Sequence, residues 1–227
     1  IAYHEAGHAL VMYFSGDLDP IHKISILPRG MALGYTMQLP NEDRYLTTKT
    51  EILHKIKAAL GGRVAEEVIF GEQTTGAQDD LQRVTDMARR MVMEFGMSAK
   101  LGPITFGSRH GGSVFLGRDF MEDRNYSEEV AYEIDKEVDA IVSGAYEEVK
   151  TIMTTHIDRL HAVTAALLER EVLDAEQVKL LMEGKELPPE PTTSGPTSGG
   201  TPVTVDEPAA ERGRREPGLG GLLPNPS

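Results

Sequence analysis

Apolar residues along most of this chain recur at the three- and four-residue spacing of a buried helix face. Behind the capping box Thr48-Lys49-Thr50-Glu51, such a stripe continues to Gly71 and predicts a long core helix. A second capping box, Thr75-Gly76-Ala77-Gln78, is expected to open a helix whose buried stripe extends from Leu81 to Phe95. Further stripes predict three helices, which begin at Ser127, Ile157 and Asp174.

Two short stretches between the first helical segments have the alternation of strands instead. Residues 21–27 and 33–39 each end at turn-forming residues, Pro28-Arg29-Gly30 and Pro40-Asn41. They predict a small β-sheet beside the N-terminal helix, in which Gly34 would allow the close approach of another segment. The predicted fold class is therefore α+β and predominantly α-helical.

The ends of the chain differ in character from its middle. Beyond Gly184 the sequence is rich in Pro, Gly, Ser and Thr, so we expect a folded domain over residues 1–184 and a disordered tail over residues 185–227. Ile1-Ala2-Tyr3 offers no N-cap for the helix that follows, which suggests a fragment of a longer protein. No apolar run of the length of a membrane span occurs in the chain.

The first predicted helix carries the pattern His-Glu-x-x-His at His4, Glu5 and His8. Residues four apart lie on one helix face, so both imidazoles can bind one metal ion, typically Zn²⁺. Glu5 is offset by one position, where it could accept a proton from a zinc-bound water that attacks a carbonyl. A helix without metal is the alternative, but two histidines on a packed face need polar partners.

The third metal ligand must come from another part of the chain. The metzincin continuation is excluded because Val11 and Phe14 occupy the positions of its Gly and His. Asp80 shares a helix face with Val84 and Met91, so its carboxylate is expected to point inward. Other candidates for ligation or for orienting the histidines are Glu66 and Glu67, the neighbouring Asp79, and His22, His54 and His110.

Charge and cysteine content narrow the classes of function. The formal net charge of −13 argues against a nucleic-acid partner, because phosphate binding requires a basic face. The absence of cysteine excludes disulfides and thiolate ligands, which leaves histidines and carboxylates for a metal site.

Four motifs follow one another along the chain: Tyr3-His4-Glu5-Ala6-Gly7-His8, Gly61-Gly62-Arg63-Val64-Ala65-Glu66-Glu67, Thr75-Gly76-Ala77-Gln78-Asp79-Asp80-Leu81, and Phe95-Gly96-Met97-Ser98 through Leu101-Gly102-Pro103. In this order they resemble the peptidase domain of FtsH-type membrane-anchored, ATP-dependent zinc proteases. The resemblance covers residues 1 to about 184.

The resemblance implies a zinc metalloendopeptidase with one Zn²⁺ per subunit, bound by His4, His8 and Asp80, and with Glu5 as the general base. It further implies a homohexamer that degrades unfolded, misassembled or short-lived membrane and soluble proteins. Anchoring in the cell inner or plasma membrane and ATP use would belong to upstream segments, with the peptidase domain on the cytoplasmic side. This chain contains no Gly-x-x-x-x-Gly-Lys-Ser/Thr phosphate loop.

Two other functions stay open at the level of sequence. One is an interaction module with a degenerate metal site, which need not hold stoichiometric zinc. The other is a metal hydrolase acting on small molecules. A sheet edge that accepts extended peptides favours the protease.

Overall fold

The computed structural model describes residues 1–16, 20–28, 34–38, 46–107 and 125–189. Ile1–Pro188 forms one compact unit. Its helices and strands are α1 (Ala2–Phe14), β1 (Ile21–Ser25), β2 (Tyr35–Gln38), α2 (Lys49–Phe70), α3 (Gln78–Met93), α4 (Glu128–Thr155), α5 (Ile157–Arg170), β3 (Val172–Asp174) and α6 (Ala175–Glu183). The predicted fold class, α+β and mainly helical, is confirmed.

Helices α1 and α2 touch through their backbones. A Cβ atom added to Gly7 would lie 2.5 Å from the carbonyl oxygen of Gly61, and one added to Gly61 would lie 2.6 Å from that of Gly7. Larger residues at either position would push the helices apart. The absence of side chains at Gly7 and Gly61 permits this tight packing, which brings the histidine face of α1 against α2.

The three strands form one antiparallel sheet in the order β2-β1-β3. Ile24 of β1 pairs with Thr36 of β2 on one side and with Leu173 of β3 on the other. Ile24 and Leu173 are fully buried, so the sheet is anchored in the core by β1 and β3. Strand β2 lies at the edge of the described sheet. Strand β3 was not predicted from the sequence, because three residues are too few to show an alternating pattern.

Most predicted helix ends agree with the structure. The Thr48 capping box is present, Gly71 ends α2 in the left-handed conformation, and Ser127 caps α4. Asp174 forms a second capping box with Gln177 at the start of α6.

The predicted start of α3 is wrong. Thr74, not Thr75, accepts a hydrogen bond from the Gly76 amide, and a 3-10 turn over Thr75–Ala77 precedes the helix. The helix itself begins at Gln78 without a side-chain cap. Leu81 and Phe95, expected in the buried stripe, are 38% and 44% exposed, because only the middle of α3 packs on the core.

The core joins all six helices with β1 and β3. Among the described residues, no helix is both long and apolar enough to cross a membrane. Several sequence predictions lie outside the described residues: part of the first predicted turn, the start of the second extended run, the segment around His110, and the tail from residue 190 onward.

Candidate metal centre

Three side-chain atoms from two helices converge at one point between α1 and α3. The Nε2 atoms of His4 and His8 lie 3.1 Å apart. The Oδ2 atom of Asp80 lies 3.3 Å from the Nε2 atom of each histidine. The three side chains are only 10–19% exposed. In the described part of the chain, these residues form the group whose ligand atoms are close enough to share a metal ion.

Hydrogen bonding orients the ring of His8. Its Nδ1 atom lies 2.8 Å from the carbonyl oxygen of Ala58, which can only accept, so Nδ1 carries the proton. A longer contact of 3.3 Å from the Gly62 amide to the same nitrogen would require the opposite tautomer. The shorter contact decides, because an unprotonated nitrogen would face the carbonyl lone pairs. In neutral His8, Nε2 therefore presents a lone pair to the centre.

The ring of His4 is held by α2 as well. Its Nδ1 atom lies 3.0 Å from Oε1 of Glu66, a carboxylate acceptor, so its Nε2 also presents a lone pair. The hydroxyl of Thr74 donates to the other carboxylate oxygen of Glu66 at 2.9 Å. A Cβ atom on Gly62 would lie within 2.5–2.7 Å of three atoms of the His4 ring. Only glycine fits at this position beside the imidazole.

The electrostatics of the centre favour a positive charge. Burial alone disfavours the imidazolium form, but the hydrogen bond and negative charge of Asp80 outweigh it and raise the pKa of His8. Burial likewise opposes ionisation of Asp80, but hydrogen bonds and charge from His4 and His8 hold the pKa of this carboxyl well below its usual range. With both histidines neutral, three acceptor atoms face one another, which is unfavourable without a cation.

The spacing of the three atoms fits zinc. Ligands at 2.0–2.1 Å in a tetrahedron lie roughly 3.3 Å from one another. The observed separations of 3.1 and 3.3 Å agree with that edge length. Two imidazoles and one carboxylate are also a donor set that zinc accepts, with a fourth position open to water.

Glu5 lies on the side of α1 that faces the sheet. Its side chain is buried and does not belong to the group of converging ligand atoms. The hydroxyl of Thr36 in β2 donates to Oε2 of Glu5 at 2.9 Å. A Cβ atom on Gly34 would lie 2.8 Å from Oε1 of Glu5 and 3.0 Å from the carbonyl oxygen of Ser25. The close approach expected at Gly34 is therefore made mainly by the Glu5 carboxylate.

The structure distinguishes the two members of each adjacent acidic pair, Asp79 and Asp80 in α3 and Glu66 and Glu67 in α2. Asp79 is exposed, whereas Asp80 reaches the histidines. Glu66 contacts His4, whereas Glu67 is directed to Gln73 and Lys150. A hydrogen bond from Tyr146, supported by those from Gln73 and Lys150, lowers the pKa of Glu67.

Two of the remaining histidine candidates, His22 and His54, do not join the centre. His22 of β1 is exposed, His54 lies near the start of α2, and neither belongs to the group of ligand atoms. His110 lies outside the described residues.

Sequence reasoning missed Thr74 and Thr36. Both act through hydroxyl groups whose partners lie on other elements. Thr36 and Glu5 are 31 residues apart, and a helical or strand period carries no signal for such a pairing.

Known proteins resemble this chain over most of its length. The sequence pattern of peptidase family M41 matches residues 1–181. The ATP-dependent zinc metalloprotease FtsH of Bacillus subtilis is 54% identical over 188 residues, which are 83% of this chain and 30% of that protein. FtsH 3 of Symbiobacterium thermophilum is 54% identical over 84% of this chain and 30% of its own length.

A third similar protein extends the match further along the chain. FtsH of Acidobacterium capsulatum is 44% identical over 97% of this chain and 34% of its own length. The chain thus spans about a third of the length of the curated relatives that it matches.

Proposed function

The chain belongs to peptidase family M41 and is a metallopeptidase, and we propose that it cleaves polypeptides internally with zinc held by His4, His8 and Asp80. The observation that carries this proposal is the convergence of three largely buried acceptor atoms at tetrahedral spacing, each histidine held by a partner on α2. Partners that fix the other ring nitrogen are a regular feature of metal-binding histidines.

Zinc held there would polarise the substrate carbonyl and lower the pKa of a coordinated water to about 7. Glu5 takes the proton from the attacking water and delivers it to the departing amine. It is suited to this role because it follows His4 directly and its carboxylate is not among the converging ligand atoms. The small residues Gly34 and Gly62 leave room for the Glu5 carboxylate and the His4 ring.

An extended peptide binds along β2 in our proposal. This strand pairs with β1 on one side and lies at the edge of the described sheet, so its other side can accept a further strand. Thr36 of the same strand contacts Glu5, so a peptide on this edge lies beside the general base. Main-chain hydrogen bonds along a strand edge can recognise unfolded polypeptides of varied sequence. A small molecule has no extended backbone to pair in this way, so this edge favours a peptide substrate.

The larger assembly is part of the proposal and rests on the named relatives and the motif resemblance. The relatives are described as ATP-dependent zinc metalloproteases. We infer that residues 1–184 are the peptidase domain of such a protease, that ATP is used by a module outside this chain, and that residues 185–227 form a tail. The domain works as a homohexamer on the cytoplasmic side of a membrane and degrades misassembled or short-lived proteins.

Replacing Glu5 by glutamine tests the chemistry. Gln cannot accept the proton, so cleavage of an unfolded protein such as casein should fall by about 10²- to 10⁴-fold. Elemental analysis should still find one zinc per chain, because Glu5 is not a ligand. A chelator should abolish cleavage by the unaltered chain, and added zinc should restore it. Undiminished cleavage by Glu5→Gln with zinc bound would refute the assignment of the base.

A further inference from the structure

Strand β2 holds the Glu5 carboxylate in place through Thr36. The hydroxyl of Thr36 lies 2.9 Å from Oε2 of Glu5 and 3.2 Å from the backbone carbonyl oxygen of the same residue. A hydroxyl has one proton, and the shorter contact to the charged oxygen is the stronger hydrogen bond. Thr36 therefore donates mainly to the Glu5 carboxylate, and the backbone carbonyl oxygen of Glu5 is a second, weaker acceptor for the same proton.

Burial makes this hydrogen bond matter. Glu5 is only 7% exposed, and a buried carboxylate needs a hydrogen-bond donor to compensate for the water that it has lost. Its other oxygen, Oε1, packs against Gly34, where a Cβ atom would lie 2.8 Å away. Thr36 therefore donates to one carboxylate oxygen of Glu5, and the backbone at Gly34, two residues earlier, confines the other oxygen.

The position of Thr36 in the sheet explains how the contact is kept. Thr36 pairs with Ile24 of β1, and Ile24 is fully buried and pairs in turn with Leu173 of β3. The hydroxyl thus projects from a strand whose register is anchored in the core. Threonine also suits a strand because its Cβ is branched, and valine shares that shape without the hydroxyl.

We propose that Thr36 is a positioning residue for the peptidase reaction, which orients the Glu5 carboxylate toward the attacking water through its hydroxyl. This inference rests on the proposed function, in which Glu5 is the general base. It assigns to the edge strand a second task besides binding the peptide backbone. Substrate pairing along β2 would then steady the strand that holds the base.

The test compares Thr36→Val and Thr36→Ser in the full chain. Valine removes the donor and keeps the backbone of β2, so kcat for a fluorogenic peptide should fall about tenfold with KM nearly unchanged. Serine retains the hydroxyl and should restore most of kcat. Thr151→Val is a matched control, because that hydroxyl donates to the Glu147 carbonyl of its own exposed helix turn, far along the chain from the centre. Zinc content should be the same in all variants.

Crystal structures provide a readout that does not depend on activity. In Thr36→Val the Glu5 carboxylate should turn away from β2, and in Thr36→Ser it should return. An unmoved carboxylate together with unchanged kcat in Thr36→Val would overturn the inference. A rise in KM with constant kcat would also overturn it, because Thr36 would then act on substrate binding.

A double variant separates this inference from the proposed function. If Thr36 acts through Glu5, Glu5→Gln/Thr36→Val should be no slower than Glu5→Gln alone. Additive losses would show that Thr36 acts by another route. If Glu5→Gln were fully active, the role of Glu5 as base would fail, whatever Thr36→Val does to the carboxylate.

Discussion

The two sides of the candidate centre are built differently. On the helical side, His4, His8 and Asp80 converge from α1 and α3, and α2 fixes the rings through the Ala58 carbonyl and Glu66. On the strand side, the Glu5 carboxylate meets the edge strand β2. The helical side holds three converging acceptor atoms between packed elements, whereas the strand side holds one carboxylate beside the edge of the described sheet, where we propose that a peptide binds.

The two sides differ in how rigid they need to be. A metal site needs its donor atoms fixed within about half an ångström, and backbone contact between Gly7 and Gly61 provides a tight helix pair for this. A general base acts on a substrate that must enter and leave, so it is better placed beside an accessible edge. Variants on the helical side should therefore change zinc affinity, and variants on the strand side should change turnover.

The largest expected effect on the helical side comes from the adjacent acids of α3. Asp80→Asn removes a charged ligand, so zinc affinity should fall by more than the roughly 10- to 100-fold that follows loss of an outer partner. Asp79→Asn should leave zinc affinity unchanged, because Asp79 is exposed. Competition with a zinc-binding dye measures both. The reverse ranking would mean that the wrong face of α3 has been assigned to the centre.

A methyl group at Gly62 should disturb the centre without removing a ligand. The added Cβ of Gly62→Ala would overlap the His4 ring, so we expect zinc affinity to fall about tenfold or more and stability to fall by about 1–3 kcal/mol. Gly144→Ala is the matched control, because in the described part of the chain a Cβ added there meets nothing within 4 Å beyond its chain neighbours and the backbone of α4 itself. Since Ala favours helix, this control should gain about 0.5–1 kcal/mol in urea unfolding. Equal behaviour of both variants would contradict the tight fit beside His4.

Helical periodicity accounts for what could be predicted about this centre. His4 and His8 share a face because they are four residues apart, and the apolar neighbours of Asp80 indicated an inward position, where the structure has it. The capping box at Thr48 and the helix end at Gly71 could also be predicted, because each depends on a local sequence pattern. Whether these residues bind metal stays a prediction until zinc is measured.

Contacts between elements could not be predicted in the same way. Glu66 and Glu67 are adjacent, and periodicity left both open, because the choice depends on whether His4 or Lys150 packs on that side of α2. The sequence predicted a cap at Thr75, whereas the structure has it at Thr74, because a 3-10 turn precedes α3. Strand β3 exists through pairing with β1, and three residues have no period of their own.

The adjacent glutamates of α2 should differ in their effect on zinc affinity, by less than the two acids of α3 do. Glu66→Gln keeps an acceptor for His4 Nδ1 but removes its charge, so zinc affinity should fall about tenfold. Glu67→Gln should leave zinc affinity unaltered, because its partners are Gln73, Tyr146 and Lys150. Both variants should stay folded by circular dichroism. Equal zinc affinity in the two would show that Glu66 does not orient His4.

The smallest effect is expected one contact further out, at Thr74. Its hydroxyl donates to Oε2 of Glu66 at 2.9 Å, so Thr74→Val removes one donor from the carboxylate that holds His4. A net hydrogen-bond contribution of about 0.5–1.5 kcal/mol, transmitted in part, corresponds to roughly a threefold weaker zinc affinity. The same hydroxyl accepts from the Gly76 amide, so Thr74→Ser is the control that retains both contacts.

The loss of zinc affinity in Thr74→Val should vanish in a Glu66→Gln background, because Thr74 reaches the metal only through Glu66. A loss that persists there would mean that Thr74 acts through the start of α3 and Asp80, which would make the turn before α3 part of the metal-holding side.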